Sequence, residues 1–199
     1  MNISPQSKKT GTRFQVSRLR SVELRRGKQV SGKRNIEAET TDIRATGAVD
    51  VPVLSGLIRV SFRDVAERFA LTLGNCPKHP SNCTDEWVEN DLARGVVYYI
   101  LESDGKPVGC VALEKANPDL CYLERLGILP QNRRKGFGKA LVDHVFSEAR
   151  ALGAKQIGIG IISDDTELKL WYQKIGFLER ETKEFAHLPF LVTFMSYEL

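Results

Sequence analysis

The stretch Arg133-Arg134-Lys135-Gly136-Phe137-Gly138 sets three cations and two glycines just ahead of a segment with helical apolar spacing. A helix that starts there presents unpaired N–H groups and the positive end of its dipole. Glycine lets main chain approach a ligand closely and reach positive φ. The chemistry on offer is capture of an anion, a pyrophosphate above all, by main-chain amides, with added charge from Arg133, Arg134, Lys135 and Lys139. Loops of this composition also join strands to helices without binding anything, so the loop alone leaves both readings open. It is not a Walker A loop, because Arg133 and Ala140 stand where that motif needs Gly and Ser or Thr. The three-glycine spacing of a Rossmann turn is also absent.

The elements that must position this loop follow from its flanks. Upstream, residues 122–130 read as a strand by aromatic and β-branched content, closed by Pro130. Downstream, Ala140, Leu141, Val145, Phe146, Ala149 and Leu152 recur at helical spacing, and Gly153 stops the helix. Residues 156–162 form a second apolar strand. Ser163, Asp164 and Asp165 offer caps for another helix that runs into Trp171-Tyr172-Gln173-Lys174-Ile175-Gly176-Phe177.

This order of strand, Arg-x-x-Gly-x-Gly, helix, strand, helix and Tyr-x-x-x-Gly-Phe resembles the GNAT superfamily of acetyl-CoA-dependent N-acetyltransferases. The resemblance extends back to residues 42–46 as a first strand. Asp50 and Pro52 open a first helix, where the missing proline N–H costs nothing. It covers residues 41–199 and implies an α/β fold: a mixed central sheet of six to seven strands flanked by about four helices. It also implies acetyl-CoA as co-substrate, no metal, and direct transfer of the acetyl group to a primary amine on a small molecule or protein. By resemblance, Leu126, Gly127 and Ile128 supply main chain to the pantetheine arm, with one N–H polarising the thioester oxygen. Residues 133–139, including Phe137, hold the pyrophosphate. Tyr172 is the acid for the departing thiolate, and Glu124 is the candidate base. Alternation along a regular strand places Glu124 and Leu126 on one face. Gly127 inside the strand suits a bulge or a close backbone approach. Two positions depart from the family pattern. Asp165 replaces the Asn found in many members seven residues before the tyrosine, and Leu168 replaces a small residue. An Asp there opposes a phosphate-bearing ligand.

Between the first helix and the loop, apolar residues from Leu54 to Leu73 read as one or two helical segments stopped by Gly74. Thr84 caps a second helix through Arg94, ended by Gly95. Residues 96–101 and 108–113 are strands joined by an Asp104-Gly105 hairpin turn, and residues 192–197 supply a last strand.

The 199 residues, 42% apolar and 27% charged, suit a globular domain with a core. No apolar run approaches the roughly 18 residues of a membrane span, and no signal-peptide core appears. Four cysteines without a tight framework point to a reducing, cytoplasmic setting. Charge is uneven: residues 1–40 carry ten Lys or Arg against three Glu, while residues 41–199 carry nineteen against twenty-two acidic groups. The first segment reads as a basic, flexible tail. A solvated extension is its plain reading. Contact with nucleic acid, a ribosome or an anionic membrane is the alternative, and a transit peptide a weaker one. Cys76, His79 and Cys83 have a Cys-x-x-His-x-x-x-Cys spacing but lack an evident fourth zinc ligand. Cys110 and Cys121 sit in strands as buried, inert thiols. His144 reads as a surface or boundary residue. Two other identities fit the sequence: an acyl-CoA-binding regulatory module without turnover, and a nucleic-acid- or ribosome-associated enzyme. A homodimer is a further expectation from the resemblance.

Overall fold

The computed structural model describes residues 40–199. The basic tail read from the sequence lies outside the described residues, apart from Thr40. Seven strands form one sheet: β1 (Thr41–Ala45), β2 (Val97–Ser103), β3 (Lys106–Lys115), β4 (Leu120–Ile128), β5 (Gln156–Ile162), β6 (Leu178–Lys183) and β7 (Val192–Glu198). Their order is β1-β2-β3-β4-β5-β7-β6. Among the described residues four α-helices accompany them: α1 (Val51–Arg68), α2 (Asp85–Ala93), α3 (Phe137–Ala151) and α4 (Thr166–Ile175).

Each face of the sheet carries its own core. Leu141, Val145 and Ala149 of α3 and Tyr172 of α4 pack with Val111, Leu123 and Ile157 on one face. Leu54 and Ile58 of α1 and Val88 of α2 pack with Tyr98, Ile100 and Cys110 on the other. Burying such side chains contributes about 1.5–3 kcal/mol each, so the helices are held by their apolar stripes. All four cysteines are free and buried.

Local chemistry explains most boundaries. Asp50 precedes α1 and Pro52 lies in its first turn. Thr84 accepts the Trp87 N–H and caps α2. Asp104 and Gly105 both take positive φ in the β2–β3 turn, as a tight hairpin requires. Helix α1 stops at Arg68, short of the expected Leu73. Ala70 turns to φ 50, and Asn75 Oδ1 accepts the Thr72 N–H at 2.7 Å, a local turn that competes with the helix. β6 was not expected, because every residue of Leu-Glu-Arg-Glu-Thr-Lys is exposed and no apolar alternation marks it. It is an edge strand held by main-chain pairing to β7.

Two irregularities shape the centre of the sheet. β4 and β5 are parallel and pair only from Leu120 to Tyr122 against Gln156 to Gly158, so the sheet opens between them beyond that point. The second irregularity is in β4. Cys110 pairs with Gly127 and Ala112 with Glu124, so Arg125 and Leu126 together face Val111 alone. Arg125 has φ 50 in this bulge. The bulge corrects two expectations. It sits at Arg125 rather than Gly127, and it reverses the alternation. Leu126 and Ile128 join the α3 face, while Glu124 shares the α1/α2 face with Ala112.

Gly127 instead answers a close approach: a Cβ there would lie 2.8 Å from Ser61 Cβ on α1. Gly127→Ala should therefore push α1 off the sheet and cost about 1–3 kcal/mol, as overpacking does. Urea unfolding of the variant beside the parent protein checks this.

Candidate functional site

A cleft of about 570 Å³ opens where β4 leaves β5. It reaches both faces of the sheet. Ser61, Phe62 and Asp64 of α1 line it from one side, and Phe137, Leu168 and Trp171 from the other. Leu126, Gly127 and Ile128 cross its middle.

The basic glycine loop forms one wall. Gly136 is the N-cap of α3, with φ 87 and no side-chain cap. Arg134 takes φ 63 beside it. The first N–H groups of α3 therefore have neither an intrahelical partner nor a capping side chain, which is the state of an anion-binding helix start. Arg133, Arg134 and residues 136–139 all line the cleft; Lys135 does not. The Lys135 ammonium lies 5.7 Å from the Phe137 ring centre.

The charges of this wall differ from the expectation that all would face an anion. Arg133 donates twice to Asp64, at 2.7 and 2.9 Å, and once to the Ser61 carbonyl at 2.8 Å. It is a strut between loop and α1. The Arg133 hydrogen bond holds the Asp64 carboxyl below the usual carboxylate range. Both side chains are more than a third exposed, so the pair adds at most about 1 kcal/mol. That contribution is present above the unfolded carboxylate pKa and fades as pH falls through the folded one. Lys139 pairs with Asp143 at 2.6 Å. Arg134 makes no ion pair among the described residues.

Asp165, suspected of repelling a phosphate, is buried and matched. It caps α4 by accepting the Leu168 N–H at 3.2 Å and pairs with Arg68 at 2.9 Å. Arg68 and Asp165 both line the cleft, so this bond ties the end of α1 to the start of α4. Sequence reading passed over Ser61, Asp64 and Arg68. Their recurrence at three- and four-residue spacing along α1 is the signal that marks them as one face.

The two candidate proton-transfer groups lie off the cleft lining, on opposite faces of the sheet. Tyr172 is buried on the α3/α4 face, its ring edge-on to Trp171 at 4.9 Å and Phe177 at 5.1 Å. Burial raises its phenol above the ordinary value, so it stays protonated. Glu124 lies on the α1/α2 face. Burial, then the nearby Glu114 carboxylate, raises its carboxyl above the ordinary range, while Arg125 pulls it down.

The remaining candidates fall elsewhere. Cys76 and Cys83 belong to separate apolar clusters, and His79 Nδ1 is engaged by Ser81 at 2.9 Å. Among the described residues no group of three or more His, Cys, Asp or Glu is placed to hold a metal. His144 is half-buried, edge-on to Tyr99 at 4.4 Å. No described helix is long and apolar enough to cross a membrane.

A model of the acetyltransferase (GNAT) family matches residues 62–177, which holds the cleft's β4 edge, the glycine loop and α4. The chain belongs to the GNAT acetyltransferase family. It is similar to the amino-acid acetyltransferase of Neisseria meningitidis serogroup A, at 29% identity over 136 residues. That match spans 68% of this chain but only 27% of the relative's length. It is also 25% identical over 146 residues to the uncharacterized N-acetyltransferase YjgM of Escherichia coli, covering 72% of this chain and 85% of that one. Among solved structures, the PaiA N-acetyltransferase of Thermoplasma acidophilum in complex with coenzyme A shares the fold at TM-score 0.69 and 16% identity. The match covers 80% of this GNAT chain and 99% of the other.

If Arg133 is the strut that seats the loop, Arg133→Met should weaken acetyl-CoA binding about three- to tenfold and Asp64→Ala by less, since Arg133 keeps its bond to the Ser61 carbonyl. The double variant should be no worse than Arg133→Met, because Asp64 acts through Arg133. Calorimetric titration with acetyl-CoA checks it.

Proposed function

We propose that this acetyltransferase moves the acetyl group of acetyl-CoA directly to a primary amine, with no covalent enzyme intermediate. The observation that carries the reading is the opening between β4 and β5, a cleft that joins the two faces of the sheet. Glu124 lies on one face of the sheet and Tyr172 on the other. Acetyl-CoA supplies the activated acetyl thioester.

The structure has features that fit it. The uncapped start of α3 and Gly136 offer main-chain donors for the pyrophosphate, with Arg134 nearby as a cation that makes no ion pair among the described residues. Among the described residues the edge of β4 beyond Tyr122 has no strand beside it, so residues 126–128 can take a pantetheine arm as an added strand. One N–H of that edge then faces the thioester oxygen, where negative charge grows as the amine attacks. Glu124 accepts the ammonium proton, which frees the nitrogen lone pair. The N–C bond forms, the C–S bond breaks, and Tyr172 gives its proton to the departing sulfur; the second proton, lost from the nitrogen as the amide forms, restores the Tyr172 hydroxyl through solvent.

For the acceptor, we propose a free amino acid as the first class to test, because amino-acid acetyltransferases are among this chain's relatives. The full panel is amino acids, polyamines, aminoglycosides, lysine peptides and peptides with N-terminal alanine.

Mass-spectrometric detection of acetylated product with this panel tests the function. Tyr172→Phe should lower kcat about 100-fold or more, within the range of general acid catalysis. Because Glu124 must be ionised to act and its carboxyl is raised, kcat/KM should fall on the acid side from above the ordinary carboxylate range. Glu124→Gln should lower the rate and remove that limb. Tight acetyl-CoA binding with no acetylated product from any amine would overturn the catalytic reading in favour of a binding module.

A further inference from the structure

The strand that faces the cleft is shaped by a contact outside it. Arg125 adopts φ 50, a conformation that bulges of this kind usually assign to glycine. An L side chain resists it, so something must hold Arg125 there. Its guanidinium Nη2 lies 2.9 Å from Asp91 Oδ2 on α2, with both side chains largely buried at 19% and 8% exposure.

Asp91 is itself fixed. The Tyr98 hydroxyl donates to it at 2.6 Å, and Arg94 Nη2 donates at 2.6 Å. Its backbone carbonyl also accepts the Val96 N–H at 3.0 Å. The anchor therefore has no freedom to follow Arg125, and Arg125 must come to it. The arrangement is not one that stability alone favours. Arg125 Nε is buried without a partner among the described residues, and a buried ion pair is often no better than apolar residues of equal volume.

Without the bulge, strict alternation from Leu123 would put Arg125 and Gly127 on the α3 face. Leu126 and Ile128 would then turn toward α1. The main-chain groups of residues 126–128 would change direction with them. We propose that Asp91 is a positioning residue for the thioester site. By gripping Arg125 it holds the left-handed bulge, and through the bulge it sets the orientation of residues 126–128. This rests on the proposed role of those residues in acetyl transfer.

A pair of substitutions at one position separates backbone from side chain. Arg125→Gly removes the grip but also the need for it, since glycine takes positive φ freely. Arg125→Ala removes the grip and keeps the need. With acetyl-CoA and the best amine of the panel, Arg125→Ala should lower kcat at least tenfold with a smaller change in KM for acetyl-CoA. Arg125→Gly should stay within about threefold of the parent. Asp91→Asn should resemble Arg125→Ala in the parent background and have no further effect on kcat in the Arg125→Gly background.

NMR reads the register independently of turnover. Cross-strand contacts should join Cys110 to Gly127 in the parent and in Arg125→Gly, and move to Leu126 in Arg125→Ala. Equal rates and equal registers in the alanine and glycine variants would overturn the proposal. So would an Asp91→Asn effect of full size on top of Arg125→Gly. If the parent acetylates no amine, the functional reading fails. The register of the two Arg125 variants then still decides whether Asp91 holds the bulge.

Discussion

β4 and β5 exchange main-chain hydrogen bonds only between Leu120–Tyr122 and Gln156–Gly158, and beyond that the facing edge of β4 has no strand beside it among the described residues. Backbone donors and acceptors in a protein interior need partners, and a strand edge left open must be served by water or by a ligand. The other elements are placed around that opening. α1 closes it from one face, and the glycine loop with α3 and α4 closes it from the other. The antiparallel β5–β7–β6 unit keeps the far side of the sheet intact, since β5 remains paired to β7 along its whole length.

Charge inside the cleft is arranged by pairing. Asp64 is matched by Arg133 and Asp165 by Arg68, so these two carboxylates on the lining do not oppose an anionic ligand as bare charges. The same pairs fasten the loop and α4 to α1. The exposed Arg133–Asp64 pair contributes little to stability. The consequence of the Arg133–Asp64 pair is geometric, because its bidentate guanidinium–carboxylate contact fixes orientation as well as distance. What remains to meet an anion is main chain at the start of α3 and the Arg134 side chain. A helix start suits this purpose, since its donors are already aligned and need no reordering on binding.

The sequence made the scaffold legible wherever local chemistry dominates. The turn at Asp104-Gly105, the cap at Thr84, Pro52 at the head of α1 and the periodic face of α3 all follow from neighbours within a few residues. β6 was hidden because an exposed edge strand carries no apolar pattern, and its existence depends on β7 offering main-chain partners. The end of α1 was misjudged because Thr72 and Asn75 bond each other locally, and that competition left no mark in the apolar spacing.

The site divides along the same line. The sequence by itself determined the loop Arg-x-x-Gly-x-Gly, the helix behind it, the Tyr-x-x-x-Gly-Phe segment and, with them, the family. These are short-range patterns whose physics acts within one turn of helix or one strand. Only the tertiary structure decided which charges stay available and which way β4 faces. Arg133 meets Asp64 across 69 residues of chain, and Arg68 meets Asp165 across 97. The inverted alternation at Glu124 comes from a bulge in which Arg125 pairs with Asp91 of α2. Neither partner of such a contact is distinguishable from a solvated surface charge until the chain has folded and brought the two together.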